Sequence, residues 1–422
     1  MKHFFFIAIT AFVLAMSHNI PIGVAETNIP LYLGTYTRGT DGAKGIYLTH
    51  LNSQDGSLTE PKLVAEVSNP AFLAKHPTLP RLYAITEGGQ GGGSPIHAFS
   101  IDPATFALTK LNEQTVPARG ACHLCVAPLP SVQRVASNPP SVEPGKYAVI
   151  VAFYGEGAVA SLPLSDNGQL NPYASLHKHV GSGPTPRQQQ PHAHAAYPVF
   201  PRGLRIAVPD LGADRLFFYW TQPDGKLAPD STEFYGKLEL PPGSGPRHAA
   251  FTSGDLATAF ILNELNSTIT VAATIRSDAG QRPLEIRQTM STLPEGKSAE
   301  GNSTAAIFLH PNGRFLYASN RGDDSIALFH FDGESRRLER ISGGAGHEHP
   351  LHETLLKFIE TVPCGKHPRS FDISPDGKWL IVAAMNDDRV STFRIDPDSG
   401  RLTPTGHSIS VKQTACVLPI VP

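Results

Sequence analysis

The chain carries no excess charge of either sign: 35 lysines and arginines face 37 aspartates and glutamates over 422 residues. Such a balance creates no field for a polyanion. Neither a basic run nor a basic–aromatic stripe interrupts it, which disfavours nucleic acid as a partner. Also missing are a Gly-x-Ser-x-Gly elbow, a P-loop and an HExxH pair, arguing against a serine hydrolase of the α/β type, an NTPase and a zincin. Cysteine is scarce. Cys122, Cys125, Cys364 and Cys416 allow three complete pairings that spacing cannot separate. Cys122-His-Leu-Cys125 resembles a redox or metal pair only superficially. It falls in an expected strand with no helix behind it, and strand positions three apart face opposite ways. Buried structural cysteines are expected.

The N-terminus is the one strongly apolar stretch. Lys2 precedes the run Phe4–Met16, and Gly23-Val24-Ala25 offers a small-residue cleavage site before Glu26. The run is shorter than the roughly 17–25 residues that span a bilayer, so residues 1–25 read as a secretory signal peptide. Residues 26–422 are then expected to form a single domain, working in the periplasm or secreted, with no membrane attachment after cleavage. Asn266-Ser-Thr and Asn302-Ser-Thr fit the glycosylation acceptor pattern, which matters only in a eukaryotic secretory pathway.

What the chain has in abundance is turn residues. Glycine and proline, 38 of each, make up about 18% of the sequence against roughly 12% in average usage, and they are spread evenly. Between them a motif recurs: Leu31-Tyr-Leu-Gly-Thr-Tyr36, Leu82-Tyr-Ala-Ile-Thr-Glu87, Ala148-Val-Ile-Val-Ala-Phe-Tyr154, Leu204-Arg-Ile-Ala-Val-Pro-Asp210, Ala259-Phe-Ile-Leu-Asn-Glu264, Phe315-Leu-Tyr-Ala-Ser-Asn-Arg321 and Trp379-Leu-Ile-Val-Ala-Ala-Met-Asn386. The spacing is about 55 residues, stretched to about 65 where Pro128–Gly145 and Gly343–Lys357 are inserted. Each motif reads as the second strand of a four-stranded antiparallel unit, and seven such units make a seven-bladed β-propeller, an all-β fold. Thr414–Val421 is an apolar strand without a blade of its own. It is expected to supply the innermost strand of the first blade and close the ring.

In antiparallel hairpins the start of the first strand and the end of the second share one edge. Around a ring, those edges form one mouth of the axial channel. The starts carry His123, His192, His194, Arg247, His248, His367 and Arg369; the ends carry Glu87, Tyr154, Asp210, Glu264, Arg321 and Asn386. Singly, each is ordinary turn chemistry. Converging on one partly desolvated mouth, they would be costly unless paired or used. Arginines suit carboxylate or phosphate, and His with Glu can move a proton near neutral pH, so the partner expected is a small anionic, oxygen-rich molecule. A hard-cation site from Asp210, Glu264, Asn320 and Asn386 ranks second, because the arginines would oppose a cation.

At these residues the chain resembles the seven-bladed propeller lactonase family, which holds the propeller type of 6-phosphogluconolactonase and the fungal 3-carboxy-cis,cis-muconate lactonizing enzyme. The resemblance runs from Tyr32-Leu-Gly-Thr-Tyr-Thr37 to Asp396–Leu402. It includes Asn69-Pro-Ala-Phe-Leu-Ala74, Ala121-Cys-His123, Arg187-Gln188, Pro191-His-Ala-His194, Asp210-Leu-Gly-Ala-Asp214, Gly245-Pro-Arg-His248, Asn263-Glu264 and Ser319-Asn-Arg-Gly322. It implies a lactone site built from His192 or His194, Arg247, Glu264 and Arg321. Taken with the other residues at the mouth, His194, Glu264 and His192 are expected to be catalytic, and Arg247, Arg321, Asp210, His248, Arg369 and His123 to hold substrate. The resemblance implies no obligatory metal, and no cofactor is expected. The expected activity is hydrolysis of a sugar-acid lactone; a muconate-type lactonizing cycloisomerase and a non-catalytic ligand- or protein-binding propeller are the alternatives. A monomer is expected, and the His-rich insertion (His347, His349, His352) reads as a solvated loop.

Overall fold

The computed structural model describes residues 28–39, 42–88, 92–132, 141–199, 204–230, 236–252, 258–274, 284–332 and 355–420. The expected signal peptide and the three histidines of the insertion lie outside them. The described residues form seven antiparallel sheets, here called blades 1–7 in chain order. In blade 2, Leu73–Lys75, Arg81–Ile85, Ser94–Ile101 and Leu108–Val116 pair in succession. Each recurring motif is a second strand, from Asn28–Thr35 in blade 1 to Trp379–Ala384 in blade 7. As expected, Thr414–Pro419 pairs with Asn28–Thr35, with Leu31 opposite Pro419 and Thr35 opposite Thr414. The chain's end thus becomes the innermost strand of blade 1.

Two details depart from a regular repeat. In blade 4 the outer position is shared, because both Leu227–Pro229 and Lys237–Glu239 pair with Arg215–Thr221. The two ends of the insertion 128–145 are strand, since the blade 3 hairpin is lengthened to Ala121–Pro130 and Val142–Phe153.

The blades adhere through seven apolar layers, one between each neighbouring pair. The layer closing the ring sets Leu31, Leu33 and Val417 against Trp379, Ile381 and Val390. Burying a large apolar side chain contributes about 1.5–3 kcal/mol, so the layers hold the sheets together. Polar ties repeat around the ring as well. On the far face, Tyr32, Tyr83 and Tyr317 each donate a hydroxyl hydrogen bond to a loop carbonyl of the next blade (Phe106, Gly168 and Gly400; 2.7, 2.9 and 2.7 Å). Trp379 does the same across the closure, Nε1 to the Ser53 carbonyl at 3.2 Å.

At the mouth, Asp214, Asp324 and Asp388 sit in left-handed turn positions (φ 50, 55 and 50°), a conformation that aspartate tolerates better than most residues. Their carboxylates accept backbone N–H bonds from the segment entering the next inner strand: Gly243 and Gly245, His367, and Gln413. These aspartates are turn chemistry, and they also space the blades. The inner strands enclose a channel of about 580 Å³ lined by Phe72, His123, Tyr197, His248, Phe308 and Asp372 among others.

Candidate active site

The mouth of the channel is built by β-bulges. In the inner strands of blades 3, 5 and 7 the pairing register slips past one residue, between Ala121 and His123, Pro246 and His248, and Pro368 and Ser370. The skipped residues are Cys122, Arg247 and Arg369. A bulge re-aims a side chain that strict alternation would send elsewhere. Consecutive residues can then serve the same space: Arg247 reaches the mouth, while His248 lines the channel below. In blade 6 the slip falls between Thr304 and Ile307, where the carbonyls of Thr304 and Ala305 accept hydrogen bonds from arginines.

Glu264 is the centre. It follows the second strand of blade 5, its backbone N–H bonded to the Gly245 carbonyl at 2.7 Å. Its Oε2 lies 3.0 Å from Arg247 Nε, 3.1 Å from Arg321 Nη2 and 3.7 Å from His194 Nε2, and its Oε1 lies 2.7 Å from Arg187 Nη1. Oε2 nevertheless accepts no well-aligned hydrogen bond. Arg247 and Arg321 are 3% and 9% exposed and anchored by backbone carbonyls, Ala305 for the former and Thr304 (2.6 Å) for the latter.

Burial alone would raise the Glu264 carboxyl, but Arg321 and Arg247 override it and hold it well below the usual carboxylate range. Burial, then Arg321, pushes Arg247 down to about 9, so it stays charged at neutral pH. Burial and Arg247 hold the His194 imidazole well below its ordinary value, hence neutral. Its position is fixed by its backbone, with N–H to the Pro209 carbonyl at 2.9 Å and C=O accepting from Cys122 Sγ at 3.2 Å.

A second group faces the first. Arg369 lies 3.5 Å from Glu87, whose Oε2 accepts the Tyr36 hydroxyl at 2.7 Å, and the Arg369 guanidinium lies over the Tyr36 ring. His367 is held neutral by burial and the neighbouring arginines, at about 4. Across the two groups, and among the described residues, the four guanidiniums of Arg187, Arg247, Arg321 and Arg369 pair with two carboxylates, Glu87 and Glu264. The mouth is therefore positive.

The other expected site residues are placed differently. His192 stacks on Tyr154 (4.3 Å, 16°) and donates from Nδ1 to the Tyr154 carbonyl, and the Tyr154 ring also packs edge-on against His194. With His194, His192 lies in an extended lead-in before the short strand Tyr197–Val199, joined to the sheet by the Ala193–Asp210 bridge. His123 and His248 lie deeper, packed edge to face with centroids 5.5 Å apart, both kept neutral chiefly by burial.

Asp210 does not face the mouth. Its Oδ2 accepts from His179 Nδ1 at 2.6 Å, and its Oδ1 accepts the N–H groups of His192 and Ala213 at 2.7 and 2.9 Å, all within the wall. Asp210→Ala should cost about 3 kcal/mol or more, because three donors lose a buried acceptor, and denaturant unfolding will measure it. Asn320 is likewise used internally, by Thr292, Asn302 and Ser325, and Asn386 is exposed, so the four oxygens proposed for a hard cation do not converge. No cluster of three His, Cys, Asp or Glu ligands occurs among the described residues. All four cysteines are free thiols, with Cys125 partly exposed and the others buried.

Sequence reasoning missed Arg187, Tyr36 and His179 as members of these networks. Arg187 and His179 lie between strands, where no periodicity marks them, although Arg187-Gln188 stands among the motifs that carry the family resemblance. Tyr36 ends the first motif as Glu87 and Glu264 end theirs, and that alignment would have found it.

A ring of seven such blades is what the comparisons with known proteins also describe. The profile of the family "Lactonase, 7-bladed beta-propeller" matches residues 30–350 and 351–419, and the chain belongs to that family. It is accordingly a lactonase, a hydrolase. Among relatives it is 32% identical over 388 residues to a 6-phosphogluconolactonase of Bacillus subtilis, covering 92% of this chain and 97% of that one. It is 25% identical to a 6-phosphogluconolactonase of Formosa agariphila, covering 88% and 94%. Among solved structures, the periplasmic gluconolactonase of Pseudomonas aeruginosa superimposes with a TM-score of 0.75 at 29% identity, covering 93% of this chain and 99% of that one. Among the described residues, no helix is long and apolar enough to cross a membrane.

Proposed function

We propose that the chain is an exported lactonase that hydrolyses a sugar-acid lactone, with the reaction carried by His194, Glu264, Arg247 and Arg321. The observation supporting this most is the arrangement of a neutral imidazole 3.7 Å from a carboxylate that two buried guanidiniums keep ionised. Water attacks the lactone carbonyl as His194 accepts its proton. The new C–O bond forms, the ring C–O bond breaks, and the proton passes to the departing alkoxide. Glu264, too acidic to be a good base itself, offsets the charge that grows on the imidazole. Arg247 and Arg321 stabilise the developing oxyanion, in a site where low dielectric strengthens them. His192 and Asp210 position the extended segment that carries His194, and Arg369 with Tyr36 and Glu87 forms the opposite wall.

The signal pattern of residues 1–25 supports export, and the periplasmic location in the name of the Pseudomonas structure is in keeping with it. The test is acid release, corrected for spontaneous ring opening, from purified protein given glucono-δ-lactone and 6-phosphoglucono-δ-lactone, with and without chelator. Release unaffected by chelator is expected. No turnover of any lactone, with loss of diene absorbance from carboxymuconate, would establish the cycloisomerase instead; thermal shift without turnover would establish a binding protein. A mature N-terminus at Glu26 in exported protein tests the leader.

A further inference from the structure

Of the three arginines around Glu264, one is held unlike the other two. Arg187 comes from outside the blades, from a single turn, Pro186–Gln188, in the connection between blades 3 and 4. Its neighbour Gln188 is fully buried; the Gln188 amide donates to the Leu211 carbonyl at 2.8 Å and accepts from the Thr185 N–H at 3.3 Å. The backbone under Arg187 is therefore pinned to the blade 4 turn. Its side chain is not: 49% is exposed, against 3% and 8% for Arg247 and Arg321.

The partners differ in kind too. Arg247 and Arg321 are each bonded to a backbone carbonyl in addition to Glu264 and cannot leave without orphaning it. Among the described residues, Arg187 makes polar contacts with two side chains, Glu264 Oε1 at 2.7 Å and the Tyr154 hydroxyl at 3.2 Å. A half-exposed ion pair is weak and easily exchanged. If Arg187 let go, Glu264 would still face two guanidiniums, and the mouth is already positive. Planar guanidinium geometry matches phosphate or carboxylate in a two-pronged contact.

We propose that Arg187 is a specificity-determining residue that exchanges Glu264 for a second anionic group, phosphate or carboxylate, on the far end of the lactone. This rests on the lactonase reading given above. The exchange also has a catalytic consequence: losing one of its cations makes Glu264 a better partner for the imidazolium forming on His194. A charged substrate then gains in kcat as well as in KM.

The test compares two lactones differing only in a phosphate, 6-phosphoglucono-δ-lactone and glucono-δ-lactone, on wild type, Arg187→Lys and Arg187→Gln. The ratio of their kcat/KM values should fall about 100-fold in Arg187→Gln and less in Arg187→Lys, the scale of losing a charge-assisted anion contact. An unchanged ratio, however far both rates drop, would show that Arg187 acts only by bracing Glu264 and would overturn the proposal. Calorimetry with 6-phosphogluconate and gluconate separates this from the lactonase reading. If wild type opens neither lactone yet binds the phosphorylated acid more tightly, and Arg187→Gln loses that preference, the residue's role stands while the reaction does not. Equal binding of the two acids by wild type would refute the anion contact. Should Arg187→Gln not fold, Arg187→Lys carries both measurements.

Discussion

Replacing Glu264 by glutamine should remove nearly all activity and, separately, much of the protein's stability. The substitution keeps the shape of the side chain and removes the charge that two buried guanidiniums face at 3.0 and 3.1 Å. Breaking a buried ion pair from one side costs about 3–5 kcal/mol, because the partners stay buried and unpaired. The loss in kcat/KM should be about 10³-fold, within the range for a group that assists proton transfer. The stability effect has a sign in pH. The folded carboxyl is held well below its unfolded value, so its contribution is present in full above the unfolded pKa of about 4 and is surrendered as pH falls toward the folded value. The stability gap between wild type and Glu264→Gln should therefore be constant from neutral pH to about 5 and shrink in stronger acid. Denaturant titrations across pH will measure it. A gap unchanged at pH 3 would contradict a native carboxylate held down by the arginines.

His194→Ala should lower kcat by about 10²- to 10⁴-fold in a protein that still folds, since the backbone contacts of residue 194 persist while the packing of its ring on Tyr154 and His248 is lost. The wild-type pH–rate profile should be unusual for a histidine base. Burial, reinforced by Arg247, keeps the imidazole neutral well below pH 6.5, so kcat/KM should stay level through the region where an ordinary histidine would be half protonated. An acid limb centred on 6.5 that vanishes in no histidine variant would place the base elsewhere.

The fold was legible because its signal is repeated. Seven apolar motifs with turn residues at constant offsets allow little but a ring, and the unpaired C-terminal strand pointed to its closure. The core of the site was legible for a geometric reason: Arg247, Glu264 and Arg321 stand at strand ends, and in a closed ring those ends share one space. What stayed hidden was everything set by departures from regularity. Alternation would send Arg247 and His248 to opposite faces, and only the bulge between Pro246 and His248 lets both serve the channel. Asp210 looks like Glu264 in the alignment of motifs. Its fate is decided by His179, 31 residues upstream at the outer edge of blade 3, and that pairing leaves no local trace.

The closure of blade 1 also decides where the molecule can be held. Thr414–Pro419 runs away from the mouth and Asn28–Thr35 runs toward it, so both described chain ends lie together on the opposite face, where the Ile420 N–H bonds to the Pro30 carbonyl at 2.8 Å. A bead, sensor chip or fused protein attached through either end would leave the cationic opening pointing outward and unobstructed. The same adjacency would let a short linker join the two ends and new ones be cut in a far-face loop, giving a permuted ring with its chemistry undisturbed.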